Sequence, residues 1–378
     1  METTLDRMSL TYGIARRVLG ARVVPLVAGF FWANIRLVGA AGMALDTLLF
    51  PKLRSQEVRA PIVLVGNPRT GTTFLQRFLC DEGYGAGLEV YRMLYPSILV
   101  QKILKPFLPM LEAVSPAKWH RTKAHDTSLV SVETDDVGVL FRYLDGFFLY
   151  GFFLAFDEED HQRWFEPEIR DTTGRDFAWL RELWRRSLVA HGSDRVVAKL
   201  FSLGTRLPAF LQAFPDAKIL YMARDPLNTI PSGMSLVSGV LENAFGFSKL
   251  PEATRKRWLE RLYTGLVELQ RRFHADYVSG RVPRDQVYVV RYDRMMVDFE
   301  GLMDEIHTFL GVQPTESQKK AIAEQGAKQR KYKSEHAYDL ARFGLDEARI
   351  RRDCAFYYET FLAEPVRPRA VVEQPAVS

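Results

Sequence analysis

Pro61-Ile-Val-Leu-Val-Gly-Asn-Pro-Arg-Thr-Gly-Thr-Thr-Phe-Leu-Gln-Arg-Phe-Leu79 is the stretch from which the rest of the chain is read. Ile62 to Val65 is a short β-branched apolar run bounded by Pro61 and Gly66, the pattern of a strand buried on both faces. Phe74, Leu75, Phe78 and Leu79 recur at helical spacing, which predicts a helix over Thr72 to Leu79. Gly66 and Gly71 between them have the spacing of the phosphate-binding loop G-x-x-x-x-G-K-[ST], but Thr72 stands where that loop has its lysine. A helix N-terminus behind such a loop still attracts an anion through unpaired N–H groups and the helix dipole. Thr72 and Thr73 add hydroxyl donors, and the one cation is Arg69, inside the loop itself. Nothing here handles a triphosphate with its metal. The loop suits a phosphate without further phosphoryl groups, with one cation over a leaving group.

The strand–helix pattern repeats downstream. Arg195–Lys199, Lys218–Ala223 and Gln286–Tyr292 read as strands. Leu207–Phe214, closed by Pro215, and Phe299–Leu310, stopped at Gly311, read as helices. Such alternation predicts an α/β fold, a parallel β-sheet flanked by helices. Residues 84 to 190 are mostly helical in period and rich in aromatics. Within them, Asp145 to Phe156 reads first as a core helix and second as the wall of an apolar acceptor pocket. The expected division is a helical N-terminal extension over 1–58, one domain over 59–364 and a loose tail over 365–378.

Composition narrows the class. The 378 residues are enough for one large or two smaller domains, and a net charge of +5 is a mild bias toward anionic ligands. Nucleic acid is not expected, because no run of five Lys/Arg and no zinc or RNA-recognition signature occurs. Cys80 and Cys354 form no CxxC pair and read as free thiols in a reducing, cytoplasmic setting. Near the N-terminus, the uncharged run between Arg22 and Arg36 and a second run from Leu37 to Leu45 each fall short of the roughly 18–20 residues of a spanning helix. Arg16, Arg17 and Arg22 resemble the basic end of a signal peptide, with no convincing cleavage site after them. Two readings stay open: a helical cap packed on the domain, which is favoured, or an amphipathic stretch within residues 10–50 lying on a membrane surface.

The loop resembles the first motif of the sulfotransferases that use 3′-phosphoadenosine-5′-phosphosulfate (PAPS), Pro-[Lys/Arg]-[Ser/Thr]-Gly-Thr-Thr, matched in full by Pro68 to Thr73. Their second motif, Arg-[Asp/Asn]-Pro after a strand with a Ser eight residues past the Arg, is matched by Arg224-Asp225-Pro226 and Ser232. A third feature, a basic loop closing over the same phosphate, is similar to Gln329 to Ser334, with Arg330, Lys331 and Lys333 as its cations. His336-Ala-Tyr338 and Phe343-Gly-Leu345 beyond it resemble a bacterial and carbohydrate-type branch. The resemblance covers about residues 60 to 350 and implies a P-loop-like sulfotransferase fold. It implies PAPS as co-substrate, no metal, and a hydroxylated small-molecule, lipid-like or carbohydrate acceptor. Arg69, Thr70, Gly71, Thr72 and Thr73 would hold the 5′-phosphosulfate, and Arg224 and Ser232 the 3′-phosphate.

Sulfuryl transfer also needs a base for the acceptor proton and cations for charge on the leaving phosphate. Many relatives carry a His shortly after the Lys that matches Lys199; this chain reads Lys199-Leu-Phe-Ser202 instead. The remaining candidates are His120, His125, Glu133, Asp135 and Asp136, with Glu133 first and His125 second; Lys199 is a candidate to face the transferring group. Against each stands a plain alternative: a helix-capping carboxylate, a packing histidine, a strand-end surface lysine. A small-molecule kinase or other P-loop NTPase, and a non-catalytic nucleotide-binding protein, are the competing functions.

Overall fold

The computed structural model describes residues 3–115, 128–331 and 339–364. Four strands, β1 (Ile62–Val65), β2 (Val197–Lys199), β3 (Lys218–Ala223) and β4 (Val287–Arg291), form one parallel sheet in the order β2-β1-β3-β4. Ile62 pairs with Val197 on one side and Lys218 on the other, and Ile219 with Val287. The chain leaves β1 toward one edge and β3 toward the other. The carboxyl ends of β1 and β3 therefore flank a topological switch point, where open α/β sheets bind ligands.

The helices used below are α1 (Thr4–Val18), α2 (Val24–Leu49), α3 (Thr72–Asp81), α4 (Asp136–Tyr143), α5 (Phe147–Phe152), α6 (Thr173–His191), α7 (Leu207–Ala213), α8 (Pro226–Phe245), α9 (Glu252–Val278), α10 (Phe299–Leu310) and α11 (Glu316–Lys331). Alternate β1 residues serve two cores, as side chains that point to opposite faces must. Ile62 and Leu64 pack with Leu75, Leu79, Phe299 and Ile306 of α3 and α10. Val63 and Val65 face the larger core of Trp184, Phe210, Trp258 and Phe273. The three later strands and the helices expected from Thr72, Leu207 and Phe299 are present, with ends within two residues of expectation, where boundary assignments vary most.

Two expectations change. The two N-terminal apolar runs are one continuous 26-residue helix, α2, which by length and composition alone is able to cross a membrane. Arg36 does not divide it, because arginine is a good helix former and its guanidinium lies over the Trp32 ring, 4.7 Å from the centroid. α2 is fastened sideways to the body. The Asp46 carboxylate accepts from Ser97 Oγ (2.9 Å), the Ile98 and Leu99 amides (2.9 and 3.0 Å) and Arg186 Nε (3.3 Å). Gly42 lies so close to the Ser97–Val100 turn that a Cβ there would sit 2.5 Å from Ser97 Oγ. The aromatic segment Asp145–Phe156 is not one helix: α5 covers Phe147–Phe152, and a 3-10 turn follows at Leu154–Phe156. Leu149, Tyr150, Leu154 and Phe156 are buried in the core, while Phe148, Phe152 and Phe153 line a cavity.

Candidate active site

The loop after β1 carries three residues with positive φ, Gly66, Arg69 and Gly71. Gly71 has φ 93°, and a Cβ there would come within 2.6 Å of Met295. Arg69 has φ 75°, a left-handed conformation that costs a non-glycine residue roughly 1–2 kcal/mol. Such strain persists where surrounding contacts hold it. Here the Arg224 guanidinium donates to the Arg69 carbonyl (2.8 Å), and Arg69 Nε donates to Ser232 Oγ (3.1 Å). The first two sequence motifs, more than 150 residues apart in the chain, thus bind each other directly. Arg224 also stacks on Tyr292, its carbon 3.8 Å from the ring centroid. Asn67 anchors the loop from beneath through the Leu266 carbonyl (2.9 Å), and buried Thr70 donates to the Asn67 carbonyl (2.8 Å). Thr70 is therefore a loop brace. No side chain caps the α3 N-terminus at Gly71, so its first-turn N–H groups face the loop mouth with the Thr72 and Thr73 hydroxyls.

Beside this cradle lies a charged cluster. Buried Lys199, at the end of β2, donates from Nζ to Thr73 Oγ1 (2.9 Å) and to Glu133 Oε2 (3.3 Å). Arg77, one turn beyond Thr73 on α3, donates to Glu133 Oε1 (3.0 Å). Burial lowers the Lys199 pKa against the pull of Glu133. The other two carboxylates of the acidic segment are structural. Asp135 accepts from the Lys199 amide (2.9 Å) and Trp184 Nε1 (2.8 Å), and burial, with like charge from Asp136, pushes it up to about 7. Asp136 accepts from Thr134 Oγ1, the Phe201 amide and Ser202 Oγ, and burial raises it as well. Neither side chain caps α4, the plain alternative for this cluster; the pair ties the β2 end to its neighbours instead. Lys199 is likewise no surface lysine.

Cradle and cluster open into one cavity of about 1900 Å³, lined by Arg69, Gly71–Thr73, Arg77, Glu133, Lys199 and Arg224 at one end and by apolar residues of α1, α2, α5 and α8 beyond. The third sequence feature is placed differently. Arg330 forms a two-pronged ion pair with Glu300, and neither it nor Lys331 lines the cavity; Lys328, a turn earlier on α11, does. Lys333, His120 and His125 lie outside the described residues. Sequence reading missed Arg77, although its i, i+4 spacing from Thr73 on α3 was available. It also missed Tyr292, which only the fold brings to Arg224.

The Sulfotransferase family profile matches residues 61–316. The omega-hydroxy-beta-dihydromenaquinone-9 sulfotransferases Stf3 of Mycobacterium bovis and Mycobacterium tuberculosis are each 24% identical to the chain over 320 residues, covering 82% of it and 79% of their own length. Sulfotransferase STF9 from Mycobacterium avium superposes with a TM-score of 0.65 at 18% identity over 97% of this chain and 91% of its own. Sulfotransferase STF1 from Mycobacterium tuberculosis does so with 0.64 at 18% identity, over 93% and 91%. With a family match across more than half of its length, which includes the loop and Arg224, this chain belongs to the sulfotransferase family.

Proposed function

We propose that the protein transfers the sulfuryl group of PAPS to a hydroxyl of a lipid-like acceptor and releases 3′,5′-ADP. The observation that carries this reading is the direct opening of a cationic phosphate cradle into a large apolar cavity, with Lys199, Thr73 and Glu133 at the junction. Arg224 and Ser232 would take the 3′-phosphate, and Arg69, the Thr72 and Thr73 amides and their hydroxyls the 5′-phosphosulfate. The acceptor oxygen forms the new O–S bond as the bond from sulfur to the phosphate oxygen breaks. Glu133 takes the acceptor proton, and the leaving phosphate keeps the electron pair. Lys199 and Arg69 offset the charge that develops there, as preorganised donors do.

Two features favour a lipid-like acceptor. The cavity wall is aromatic and aliphatic from Phe147 to Phe153. α2 presents an exposed apolar stripe, Leu26, Phe30, Leu37, Leu45 and Leu48, flanked by Arg16, Arg17 and Arg22 before it and by Lys52 and Arg54 after it. A helix of this kind lies in a membrane interface, and the buried Asp46 anchor keeps α2 alongside the body rather than across the bilayer. The Stf3 relatives are named for an isoprenoid-quinone acceptor, which agrees with this class. The test is incubation with PAPS in EDTA and a panel of hydroxylated amphiphiles, reading 3′,5′-ADP release. Turnover on an apolar alcohol, and loss of 3′,5′-ADP binding in Arg224→Ala, are expected. Preference for ATP with Mg²⁺, or PAPS binding without turnover on any acceptor, would refute the reading.

A further inference from the structure

The apolar end of the cavity contains two cations that sulfuryl transfer does not use. Arg36 on α2 and Arg142 on α4 both line it, and they are close enough for the charge of Arg142 to disfavour the charge on Arg36. Arg36 lies over Trp32, and Arg142 over Trp179 at 4.6 Å. Stacking satisfies the face of a guanidinium and leaves its five N–H donors unspent. Among the described residues neither side chain has a carboxylate within ion-pair distance, and the buried Arg142 Nε has no acceptor. The two fully buried arginines among the described residues are paired, Arg7 with Asp145 and Arg186 with Asp46 and Glu182. Two like charges on one apolar cavity wall repel unless an anion joins them, and burial costs Arg36 solvation as well. The position is also held from the backbone, since Trp32 Nε1 donates to the Phe141 carbonyl (2.7 Å) and so fixes α2 against α4.

We propose that Arg36 and Arg142 form a second oxyanion site, which binds a phosphate or carboxylate on the far end of the acceptor. The acidic segment that carries Glu133 leads into the first turn of α4 and Arg142 is in its last, about 9 Å along the axis from Asp136. An acceptor that reaches both groups is an amphiphile with a hydroxyl at one end, an acidic group at the other and an apolar stretch between. This deepens the acceptor reading above and rests on it for the hydroxyl end; the anion site itself stands on the cavity alone.

The experiment is calorimetric titration of the full chain, saturated with 3′,5′-ADP so that the loop is filled, using octyl phosphate and 1-octanol below their aggregation concentrations. Octyl phosphate is expected to bind at least about tenfold more tightly, the scale of one charge-assisted hydrogen bond. Arg36→Gln and Arg142→Gln should each erode that preference toward parity. Arg142→Lys, which keeps the charge and much of the packing, should retain part of it. Equal affinity of the native protein for the two ligands overturns the proposal without recourse to any variant, and so does a preference that survives both glutamine substitutions. Free inorganic phosphate and phosphatidylglycerol vesicles separate the sources. If Arg36→Gln weakens vesicle binding while the octyl phosphate preference was never present, the arginines serve bilayer headgroups and the acceptor site is refuted. Catalysis is not scored, so a protein that shows the preference but transfers no sulfuryl group loses the hydroxyl-acceptor reading and keeps this site.

Discussion

Glu133 answers to two cations at once, Arg77 on one oxygen and Lys199 on the other, and Lys199 in turn reaches Thr73 at the mouth of the loop. A carboxylate so held is fixed in direction. In the proposed reaction Glu133→Gln therefore lowers kcat by about 10²–10⁴, the usual worth of a positioned base, with little change in 3′,5′-ADP affinity. A normal kcat in that variant would remove Glu133 from the chemistry. Arg69→Ala is expected to reduce kcat more than it weakens nucleotide binding, because its guanidinium is assigned to charge that appears only in the transition state. Steady-state kinetics beside nucleotide titration checks this, and equal losses in both would contradict the role.

β2 is only three residues long, and most of what places Lys199 comes from Asp135, which gathers the Lys199 amide and the Trp184 indole beneath the site. Its carboxyl is raised from an ordinary 3.8 to about 7 by burial. Below about pH 4 it is protonated whether folded or unfolded. Between about pH 4 and 7 the folded chain keeps a proton that the unfolded chain has released, so this group's contribution to stability falls as pH rises through that window and levels off above it. Thermal melts from pH 4.5 to 8 should show that decline in the native protein and a flatter profile in Asp135→Asn. Parallel profiles would mean that Asp135 titrates normally.

At the scale of the whole molecule, one cavity joins the sheet's switch point to the underside of α2, while the outer face of α2 stays apolar and exposed. Phe30 and Leu37 are 66% and 70% exposed, one heptad apart, and do not line the cavity. Replacing both with Ser should reduce co-sedimentation with anionic vesicles by at least about tenfold, given roughly 1.5–3 kcal/mol for burying one such side chain. Nucleotide binding should be unchanged. Undiminished vesicle binding would remove α2 as the membrane-facing element.

The strands and the anion loop were legible along the chain, because each rests on local physics: a β-branched run, glycines at a fixed spacing, a helix that begins behind them; the second motif was legible through family resemblance. Distance hid the rest. That Arg224 braces the strained Arg69 backbone, and that Glu133, Arg77 and Lys199 share one cluster, follows from strand order and helix packing, which no local pattern carries. α2 shows the same division. Its apolar runs are plain in the sequence, but their union into one helix, the burial of Asp46 and the meeting of Arg36 with Arg142 depend on which surface covers each side chain. Local pattern marked the loop as an anion site. Long-range packing built the cavity into which that loop opens.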